Sequence, residues 1–400
     1  MTSGAGPDGG AADGGGADGG GADIGGVAVG GAGAKGSGAP ADAPAEIVVA
    51  VDCNGADLGP AEVAAGAVLA SDEGASTILF GPAPELSAAL QGAGERLASG
   101  TGGEGRIEIV DAPVSIAKSV DPASAARGNP DASIVRAARA VAQGRAQALV
   151  CAGGTGAALA AGLFNIKRAR GIHRPALALP LPIPGPTSGP VTLLDVGANA
   201  RARSEHLEQF AFMGAALART VLGIERPRVG LLSNGEEDSR GGPLVLETHE
   251  RLRARMGAAP AAFVLVGNVE GGDLVSGVAD VIVTDGLTGN IALKLAEGVS
   301  QTLLRTIRDA AMSSTRAKVG GMLLKGALRG LREEIDPEAQ GGAYLLGLRA
   351  LAVVPHGAFG RRGFAQAILR ARQGAREDLI ARTHATLEQA GALRSSPVSA

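Results

Sequence analysis

The residues best suited to chemistry are Thr288-Gly289-Asn290 and Lys294, which follow a short apolar run. A helical pattern begins there, so Asn290 and Lys294 lie one turn apart and face the same side. A helix N-terminus favours negative charge, and a lysine ammonium beside it adds a full positive charge. This spacing, with Asp285 next to it, predicts a phosphate-binding group. An N-cap asparagine followed by a solvated lysine is the alternative that the pattern leaves open.

Glycine and polar residues follow several other predicted strands in the same way. Glycine lets a ligand approach the main chain and leaves amide N–H groups free to bind an anion. In an open parallel sheet, such carboxyl-end loops form the ligand crevice. Turns in any α/β protein need glycine, so a single glycine loop does not indicate a binding site. Several such loops with Asp or Asn beside the glycines do predict a ligand-binding site. Its members are Asp52, Gly55, Gly153, Gly154, Thr155, Gly156, Asp195, Asn199, Asn268, Gly289 and His356.

The motifs exclude several common site types. No Gly-x-x-x-x-Gly-Lys-Ser/Thr loop is present, and Gly153 to Gly156 miss the Gly-x-Gly-x-x-Gly spacing of dinucleotide sites. No Gly-x-Ser-x-Gly elbow is present, which argues against a serine hydrolase. The five histidines and two cysteines show no metal-ligand spacing, so we expect no metal site.

Composition narrows the partners and the compartment. Aromatic residues make up 2% of the chain and the formal net charge is −3, which argues against nucleic-acid binding by base stacking or by a basic surface. No apolar run approaches the length of a membrane span, and we expect no secretory signal. Two cysteines cannot form a disulfide framework, so we expect a cytoplasmic protein.

The elements that must position these residues are short apolar strands alternating with helices. The strands are continuous rather than alternating, as expected when both faces of a sheet are buried. Helical periodicity is clearest in 204–222, where Leu207, Phe210 and Ala211 begin one apolar stripe. The pattern predicts an α/β fold with a mostly parallel sheet between helices. The predicted strands are Ile47–Val51, Thr77–Phe80, Ile107–Val110, Ala148–Cys151, Leu177–Leu179, Thr192–Val196, Val229–Ser233, Phe263–Val266, Val281–Thr284 and Leu351–Val354.

Three segments differ from this pattern. Residues 1–45 are a Gly/Ala/Asp-rich tail with almost nothing apolar, and we predict disorder there. Residues 46–392 are predicted to form the folded domain, and 393–400 a loose C-terminus. Within the domain, 301–335 is predicted to be a basic amphipathic helical insertion. Residues 301–332 hold seven lysines and arginines, one acid (Asp309) and an apolar side, which indicates contact with anionic lipid; an ordinary solvated helix pair is the alternative.

Together these motifs resemble the phosphate acyltransferases of bacterial phospholipid synthesis, the PlsX family. The Thr288-Gly289-Asn290-x-x-x-Lys294 segment is shared with phosphotransacetylases. The resemblance extends from about Ile47 to about Gln373. Its ordered blocks include Ala50-Val51-Asp52 with Gly55 and Asp57, Thr155-Gly156-Ala157, Arg174-Pro175-Ala176, Leu194–Asn199, Glu205-His206-Leu207, Gly267-Asn268-Val269-Glu270, Gly341-Gly342-Ala343 and His356-Gly357.

The resemblance implies a homodimer with a three-layer α/β/α fold like that of isocitrate dehydrogenase. It implies transfer of a fatty acyl group from acyl carrier protein to inorganic phosphate, without metal or nucleotide cofactor. The acyl phosphate would feed a membrane glycerol-3-phosphate acyltransferase, and the protein would sit in the cytoplasm, in peripheral contact with the inner face of the membrane through 301–332. Transfer from coenzyme A, and a degenerate member kept as a binding subunit, are the alternatives.

The chain departs from the family pattern in polar loops. Gly55-Ala56 replaces a Gly-Gly pair, Gly154 replaces an asparagine, and Ala358-Phe359 replaces two serines. The family's basic stretch followed by two serines is reduced to Arg127 and Ser133. Each change removes a polar group or backbone freedom beside a predicted site loop.

A mechanism can be built on these residues without a protein nucleophile, because phosphate itself can attack a thioester. Lys294 and the amides of 153–156 and 286–290 are predicted to hold phosphate, and Asn268, Asn199 or Asn290 to donate to the oxyanion. Asp285 and Asp195 are expected to orient Lys294 or to cap turns. His206 is either catalytic or a polar residue of a first helical turn. The sequence leaves open whether His356 belongs to the site or is an ordinary loop residue.

Overall fold

The predicted strands form one sheet, with an additional strand that the sequence did not reveal. The computed structural model describes residues 46–97, 106–183, 189–257 and 262–394. The predicted tail 1–45 and residues 395–400 of the predicted C-terminus lie outside the described residues. The strands are β1 (Val48–Asp52), β2 (Ser76–Gly81), β3 (Ile107–Asp111), β4 (Ala148–Cys151), β5 (Ala176–Leu181), β6 (Val191–Leu194), β7 (Arg228–Leu232), β8 (Val264–Val269), β9 (Val281–Val283), β10 (Ala343–Leu346) and β11 (Leu351–Val354).

The order of the strands in the sheet is β3-β2-β1-β4-β11-β10-β5-β6-β9-β7-β8. Strands β3, β2, β1, β4 and β11 are mutually parallel, and so are β6, β9, β7 and β8. Between these two blocks, β10 pairs antiparallel with β11 and β5, and β5 pairs antiparallel with β6. The two parallel blocks therefore run in opposite directions, and their carboxyl ends leave the sheet at opposite edges.

Helices cover both faces of the sheet, which confirms the α/β class. One apolar core joins alternate residues of β1, β2 and β4 to helices that include α1, α6 and α10, and a second core joins the intervening residues to α4 and α5. The helices are α1 (Pro60–Asp72), α2 (Ala83–Leu97), α3 (Pro122–Gly128), α4 (Ser133–Ala142), α5 (Thr155–Ala161), α6 (Ser204–Thr220), α7 (Gly242–Met256), α8 (Gly286–Met312), α9 (Thr315–Glu334), α10 (Arg361–Arg376) and α11 (Leu379–Gln389). The described residues from Glu46 onwards form one compact unit.

The additional strand β10 was hidden by its glycine boundaries. Its four residues lie between Gly342 and Gly347, both of which have positive φ. Such a short apolar run between glycines looks like a loop, although all four residues are buried. Its antiparallel pairing with β5 and β11 joins the two halves of the sheet.

The predicted helical insertion corresponds to the second half of α8 together with α9. The two helices are joined at Ser313 and Ser314, and Ser314 caps α9 by accepting a hydrogen bond from the Ala317 N–H. Large apolar side chains on both helices are exposed, among them Leu303, Met322 and Leu323. None of the helices in the described part of the chain is long and apolar enough to cross a membrane.

Candidate active site

The loops after β1 and β4 meet at the carboxyl edge of the first parallel block. Gly55 has φ 111°, and a Cβ at this position would lie 2.7 Å from Gly153 Cα and 2.5 Å from Ala117 Cβ. A side chain at Gly154 would lie 2.5 Å from the Ala117 carbonyl oxygen. The loop containing Ala117 therefore closes against both glycine loops, and glycine at 154 permits that contact. We call residues 52–57, 112–119, 151–156 and 355–360 the first loop cluster.

A cavity of about 640 Å³ opens in the first loop cluster. It combines a positive charge and three polar side chains with apolar walls. Beside it, α5 begins at Thr155 with Gly154 as its N-cap and no side-chain capping bond, and both Thr155 and Gly156 are exposed. The first N–H groups of a helix have no partner within the helix, so these amides can bind an anion. The cavity is lined by Gly55, Ala56, Val114, Ser115, Ile116, Lys118, Ser119, Ala125 and Asn129.

Sequence reasoning missed Lys118, Ser115, Ser119 and Asn129. Ser115, Lys118 and Ser119 follow the predicted strand at Ile107–Val110 in a segment without glycine, and so lacked the signal used for the other loops; Asn129 follows Gly128 but no predicted strand. The lysine and the two serines that follow this predicted strand are the signal by which the segment could have been identified.

Asp52 lies buried at the base of this cluster. Its Oδ1 accepts hydrogen bonds from Ser133 Oγ at 2.6 Å and from the Asn54 N–H at 3.3 Å, and Cys151 Sγ lies 3.6 Å from Oδ2. Burial raises the pKa of Asp52 to about 7, although the hydrogen bond from Ser133 opposes the shift. Burial also raises the pKa of the Cys53 and Cys151 thiols, so neither is a reactive thiolate. Asp52 therefore joins β1, β4 and α4 rather than facing the cavity.

His356 stands exposed at the rim of the same cluster. Its Nδ1 accepts a hydrogen bond from the Ala358 N–H at 3.2 Å, and the next residue's carbonyl accepts one from the Asp57 N–H at 2.8 Å. Phe359 is buried and its ring centroid lies 6.1 Å from that of His356. The departure from the family's two serines thus places an apolar side chain in the core beneath the histidine.

A second loop cluster surrounds Asp195 at the carboxyl ends of β6 and β9. Asp195 is fully buried, and its Oδ1 accepts hydrogen bonds from the N–H groups of Leu177, Gly197 and Ala198. Its Oδ2 accepts from the Asn199 N–H and Nδ2, and the same Nδ2 donates to the Pro175 carbonyl. We call residues 195–203 and 284–294 the second loop cluster. Its loop amides mainly satisfy the Asp195 carboxylate.

The start of α8 belongs to the second loop cluster. Asp285 is its N-cap, and its carboxylate accepts hydrogen bonds from the Leu287 and Thr288 N–H groups. A Cβ at Gly289 would lie against the Asp195 carbonyl oxygen, so glycine allows the helix to approach that loop. The helix N-terminus is thus already neutralised by a carboxylate of its own chain.

Asn290 and Lys294 are exposed members of the second loop cluster. Asn290 lies beside Gly197, where a Cβ would be 3.8 Å from its side chain. Lys294 Nζ lies 2.8 Å from Glu297 Oε2 on the same helix. Among the described residues, this surface carboxylate is the one ion-pair partner of Lys294, and one helical turn separates Lys294 from Asn290.

Asn268, near the end of β8, has both amide atoms engaged. Its Oδ1 lies 2.8 Å from His249 Nε2, and its Nδ2 donates to the Glu237 carbonyl at 2.7 Å. A further contact of Nδ2 to the Arg240 carbonyl spans 3.4 Å. The side chain is buried and ties β8 to the 237–240 loop, which leaves no donor for an oxyanion in this conformation.

His206 is buried in the first turn of α6, and its Nδ1 accepts a hydrogen bond from the Arg203 N–H at 3.2 Å. Burial, aided by the Arg203 charge, lowers the pKa of His206 to about 4.

His173 and Glu205 lie close to His206, with ligand atoms of all three residues within 4.8 Å of one another. Because Nδ1 of neutral His206 already accepts a hydrogen bond, its Nε2 carries the proton and offers no lone pair to a metal. The trio therefore does not supply three free metal ligands.

The structure places most of the predicted site residues in two sets, with Asn268 on β8 and His206 on α6 outside both. Asp52, Gly55, Gly153 to Gly156 and His356 lie in the first cluster; Asp195, Asn199, Asp285, Gly289, Asn290 and Lys294 lie in the second. Among the described residues, no hydrogen bond joins the two sets. Because the parallel blocks run in opposite directions, the strand-end loops leave the sheet at two ends, and their grouping in one site stays a prediction.

Comparison with known proteins identifies the family. Residues 47–382 match the model of a family described as fatty acid synthesis protein. A phosphate acyltransferase of Heliobacterium modesticaldum is 42% identical over 333 residues, which cover 83% of this chain and 95% of that protein. A phosphate acyltransferase of Enterococcus faecalis is 39% identical, over 78% of this chain and 90% of that protein.

Solved structures support the fold. A phosphotransacetylase from Streptococcus pyogenes superimposes with a TM-score of 0.54 at 18% sequence identity, covering 82% of this chain and 94% of that one. The sequence and structure thus agree with the matched relatives over almost the whole described part: the chain belongs to the phosphate acyltransferase, or PlsX, family and is an acyltransferase.

Proposed function

We propose that this protein transfers a fatty acyl group from acyl carrier protein to inorganic phosphate and so supplies acyl phosphate for phospholipid synthesis. The cavity beside Lys118 and the uncapped start of α5 is the observation that carries the proposal. It combines the first amide N–H groups of a helix without a side-chain cap, and an ammonium, for an anion with apolar walls that suit an acyl chain. The family membership supports the reaction type.

In this reaction a phosphate oxygen attacks the thioester carbonyl carbon. The carbon–sulfur bond breaks, the sulfur leaves as the carrier's thiol after taking the phosphate proton, and the acyl group remains on phosphate. We assign the Thr155 and Gly156 amides and Lys118 to hold the phosphate. Holding both reactants in place lowers the barrier by up to roughly 7–11 kcal/mol, so a protein nucleophile is unnecessary.

The polar residues of the second loop cluster, and Asn268 outside it, have a supporting role in this proposal. Asp195 and Asn199 satisfy their own loop, Asp285 caps α8, and Asn268 holds the 237–240 loop. We likewise assign His206 to capping α6, because a neutral buried imidazole with an occupied Nδ1 cannot shuttle a proton at neutral pH. Catalytic roles for Lys294 and Asn290 stay predictions.

The decisive experiment supplies phosphate with either an acyl carrier protein thioester or the matching coenzyme A thioester and measures acyl phosphate. We expect the carrier thioester to react with the higher kcat/KM. A higher kcat/KM with the coenzyme A thioester would favour coenzyme A as the acyl donor. Lys118→Met should raise KM for phosphate about tenfold, since one charged contact to the anion is lost. An unchanged KM for phosphate would remove Lys118 from the site.

We further propose a homodimer in which a second copy covers α8. Leu287, Ile291, Leu295, Val299 and Leu303 follow one another at helical spacing, and each side chain is more than half exposed. Such a continuous apolar stripe is typical of a protein interface. Leu295→Lys should therefore yield monomers in sedimentation-velocity measurements; a dimer that survives this change would place the interface elsewhere.

Peripheral contact with the cytoplasmic face of a membrane is proposed for the α8–α9 hairpin. Met322, Leu323 and Leu324 are exposed between Lys318 and Lys325, a combination suited to anionic lipid. This location would bring the acyl phosphate to a membrane glycerol-3-phosphate acyltransferase. Flotation with phosphatidylglycerol vesicles should be lost in Leu323→Asp/Leu324→Asp while the dimer persists. Equal flotation of both proteins would exclude this contact.

A further inference from the structure

A concentrated positive patch lies at the end of the sheet where α6 begins. It combines the segment after the π-helical turn Gly162–Ile166 with the loop before α6 and the end of the described chain. All its members are exposed. We call this set the basic patch: Lys167, Arg168, Arg170, Arg174, Arg203 and Arg394.

The members of the basic patch are close in space as well as charged. The Arg394 N–H donates to the Gly171 carbonyl, and Arg168 Nη1 donates to the His173 carbonyl at 2.6 Å. Burial lowers the pKa of His173, and the charges of Arg394, Arg203 and Arg168 act in the same direction, against Glu205. Three separate chain segments therefore place their cations around one histidine.

These charges are largely unpaired within the chain. Among the described residues, Arg203 alone of the six has a carboxylate within 4 Å, that of Glu205 at 2.8 Å. The whole chain carries a formal charge of −3, so the patch is a local excess rather than a property of the surface as a whole. Unpaired like charges repel one another, and an anionic partner relieves that repulsion.

The surroundings favour an acidic protein over a lipid surface. None of the large exposed hydrophobic residues of the described chain lies in 167–174, 201–206 or at 394. A lipid surface binds apolar side chains as well as cations, and that combination occurs instead on α8 and α9. A purely polar, arginine-rich surface matches the rim of a protein interface.

We infer that the basic patch docks an acidic protein, namely the carrier that brings the acyl thioester. This inference rests on the function proposed above and names the surface where its donor binds. The patch begins directly after the π-helical turn that continues α5, so α5 and this turn connect it to Thr155. Twelve helical residues separate the two ends by roughly 18 Å. A carrier seated on the patch needs a long flexible arm to present its thioester at the cavity.

The test uses Arg174→Glu/Arg394→Glu in the full chain. The matched control is Arg139→Glu/Arg226→Glu, which reverses two exposed arginines that have no carboxylate within 4 Å on other parts of the described surface. Reversing two patch charges should raise KM for the acyl carrier protein thioester about tenfold or more at low salt, because electrostatic steering and rim contacts are lost. The control, the KM for phosphate and the kinetics with the coenzyme A thioester should stay unchanged.

The inference fails if the patch variant keeps the wild-type KM for the carrier thioester. It also fails if the variant loses binding to phosphatidylglycerol vesicles while its carrier kinetics stay normal, since the patch then serves a membrane. A wild-type protein that forms no acyl phosphate from any thioester sinks the proposed function instead. In that case direct binding of purified acyl carrier protein to wild type and patch variant still decides the docking surface, and equal affinity overturns it.

Discussion

Two buried aspartates, one in each loop cluster, differ in the groups that surround their carboxylates. Asp195 lies beside a strand end in the second loop cluster and accepts hydrogen bonds from four N–H groups and one amide side chain. Asp52 ends β1 in the first cluster, where one hydroxyl, one N–H and one thiol surround its carboxylate. Both side chains are at most 2% exposed, so burial alone does not distinguish them.

The difference lies in what the loop amides bind. Around Asp195 they converge on the carboxylate, whereas near Asp52 helix α5 begins without a side-chain cap and its first residues, Thr155 and Gly156, are exposed. A strand end rich in glycine and aspartate can therefore build either a closed hub or an open anion site. Which one results depends on whether an acid of the same chain already occupies the amides.

The largest effect is expected from Asp195→Ala. Removing the carboxylate leaves several buried N–H donors without an acceptor, each costing about 1–3 kcal/mol. We expect a loss of about 3–5 kcal/mol in the free energy of unfolding, measured by calorimetry and denaturant titration. Asp285→Ala is the control, because loss of an N-cap costs only about 1 kcal/mol. If the two variants are equally stable, the second loop cluster is not a structural hub.

The next effect concerns the pH dependence of stability and Asp52. Its folded pKa of about 7 exceeds the unfolded value of 3.8, so between about pH 4 and 7 the folded state holds a proton that the unfolded state has lost. Stability should therefore fall as pH rises through this window, by on the order of 4 kcal/mol. Asp52→Asn cannot ionise and should lack this slope, while remaining comparable to wild type at pH 4.

Thr77→Val serves as the control for Asp52→Asn. The Thr77 hydroxyl is buried on β2 without a hydrogen-bond partner. Its removal changes the polarity of the core but removes no group that ionises. Its stability should follow the wild-type slope with pH in thermal denaturation. An Asp52→Asn protein that also follows that slope would mean that Asp52 is ionised throughout.

The fold was largely predictable because its signals are local. Continuous apolar runs and the stripe of α6 identify strands and helices, whereas β10 was missed because only pairing with β5 and β11 defines so short a strand. The reversal of direction between the two blocks depends on the same pairings. Periodicity carries no such information, so the sequence could not reveal that the strand-end loops divide between two edges.

The site was less predictable for a related reason. Sequence motifs marked Asn268 and His206 as polar residues in suitable places, but their hydrogen-bond partners come from elsewhere in the fold or from an adjacent turn. Lys118 was overlooked because no glycine marks its loop, and its place in the cavity depends on the packing of Ala117 against Gly55 and Gly153. Residue type limits what a side chain can do, and its partners decide what it does.

A matched pair of glycines gives a sharper test of the two clusters. In Gly55→Ala the new Cβ would lie 2.7 Å from the Gly153 main chain, so the loops around the cavity must move apart. We expect kcat/KM for acyl phosphate formation to fall about 100-fold, since a displacement near 1 Å has this effect on aligned reactants.

The matched control is Gly197→Ala, where φ is also positive at 132° but the atom nearest to the new Cβ is 3.8 Å away. Backbone strain should lower the second variant's stability by about 1–3 kcal/mol and its activity less than threefold. Equal losses of activity would erase the functional difference between the clusters.

The smallest expected effect is that of Lys294→Met, compared with Lys118→Met. Lys294 is half exposed and pairs with Glu297 on the surface of α8, and the helix start beside it is already capped by Asp285. Exposed pairs of this kind contribute about 0–1 kcal/mol, so neither stability nor KM for phosphate should change more than about twofold. Lys118, which lines the cavity, should show the larger rise in KM for phosphate. A result in the opposite order would move the phosphate to the second loop cluster, where Asn290 and Lys294 share an exposed face, and would make the α8 start the reacting edge of the sheet.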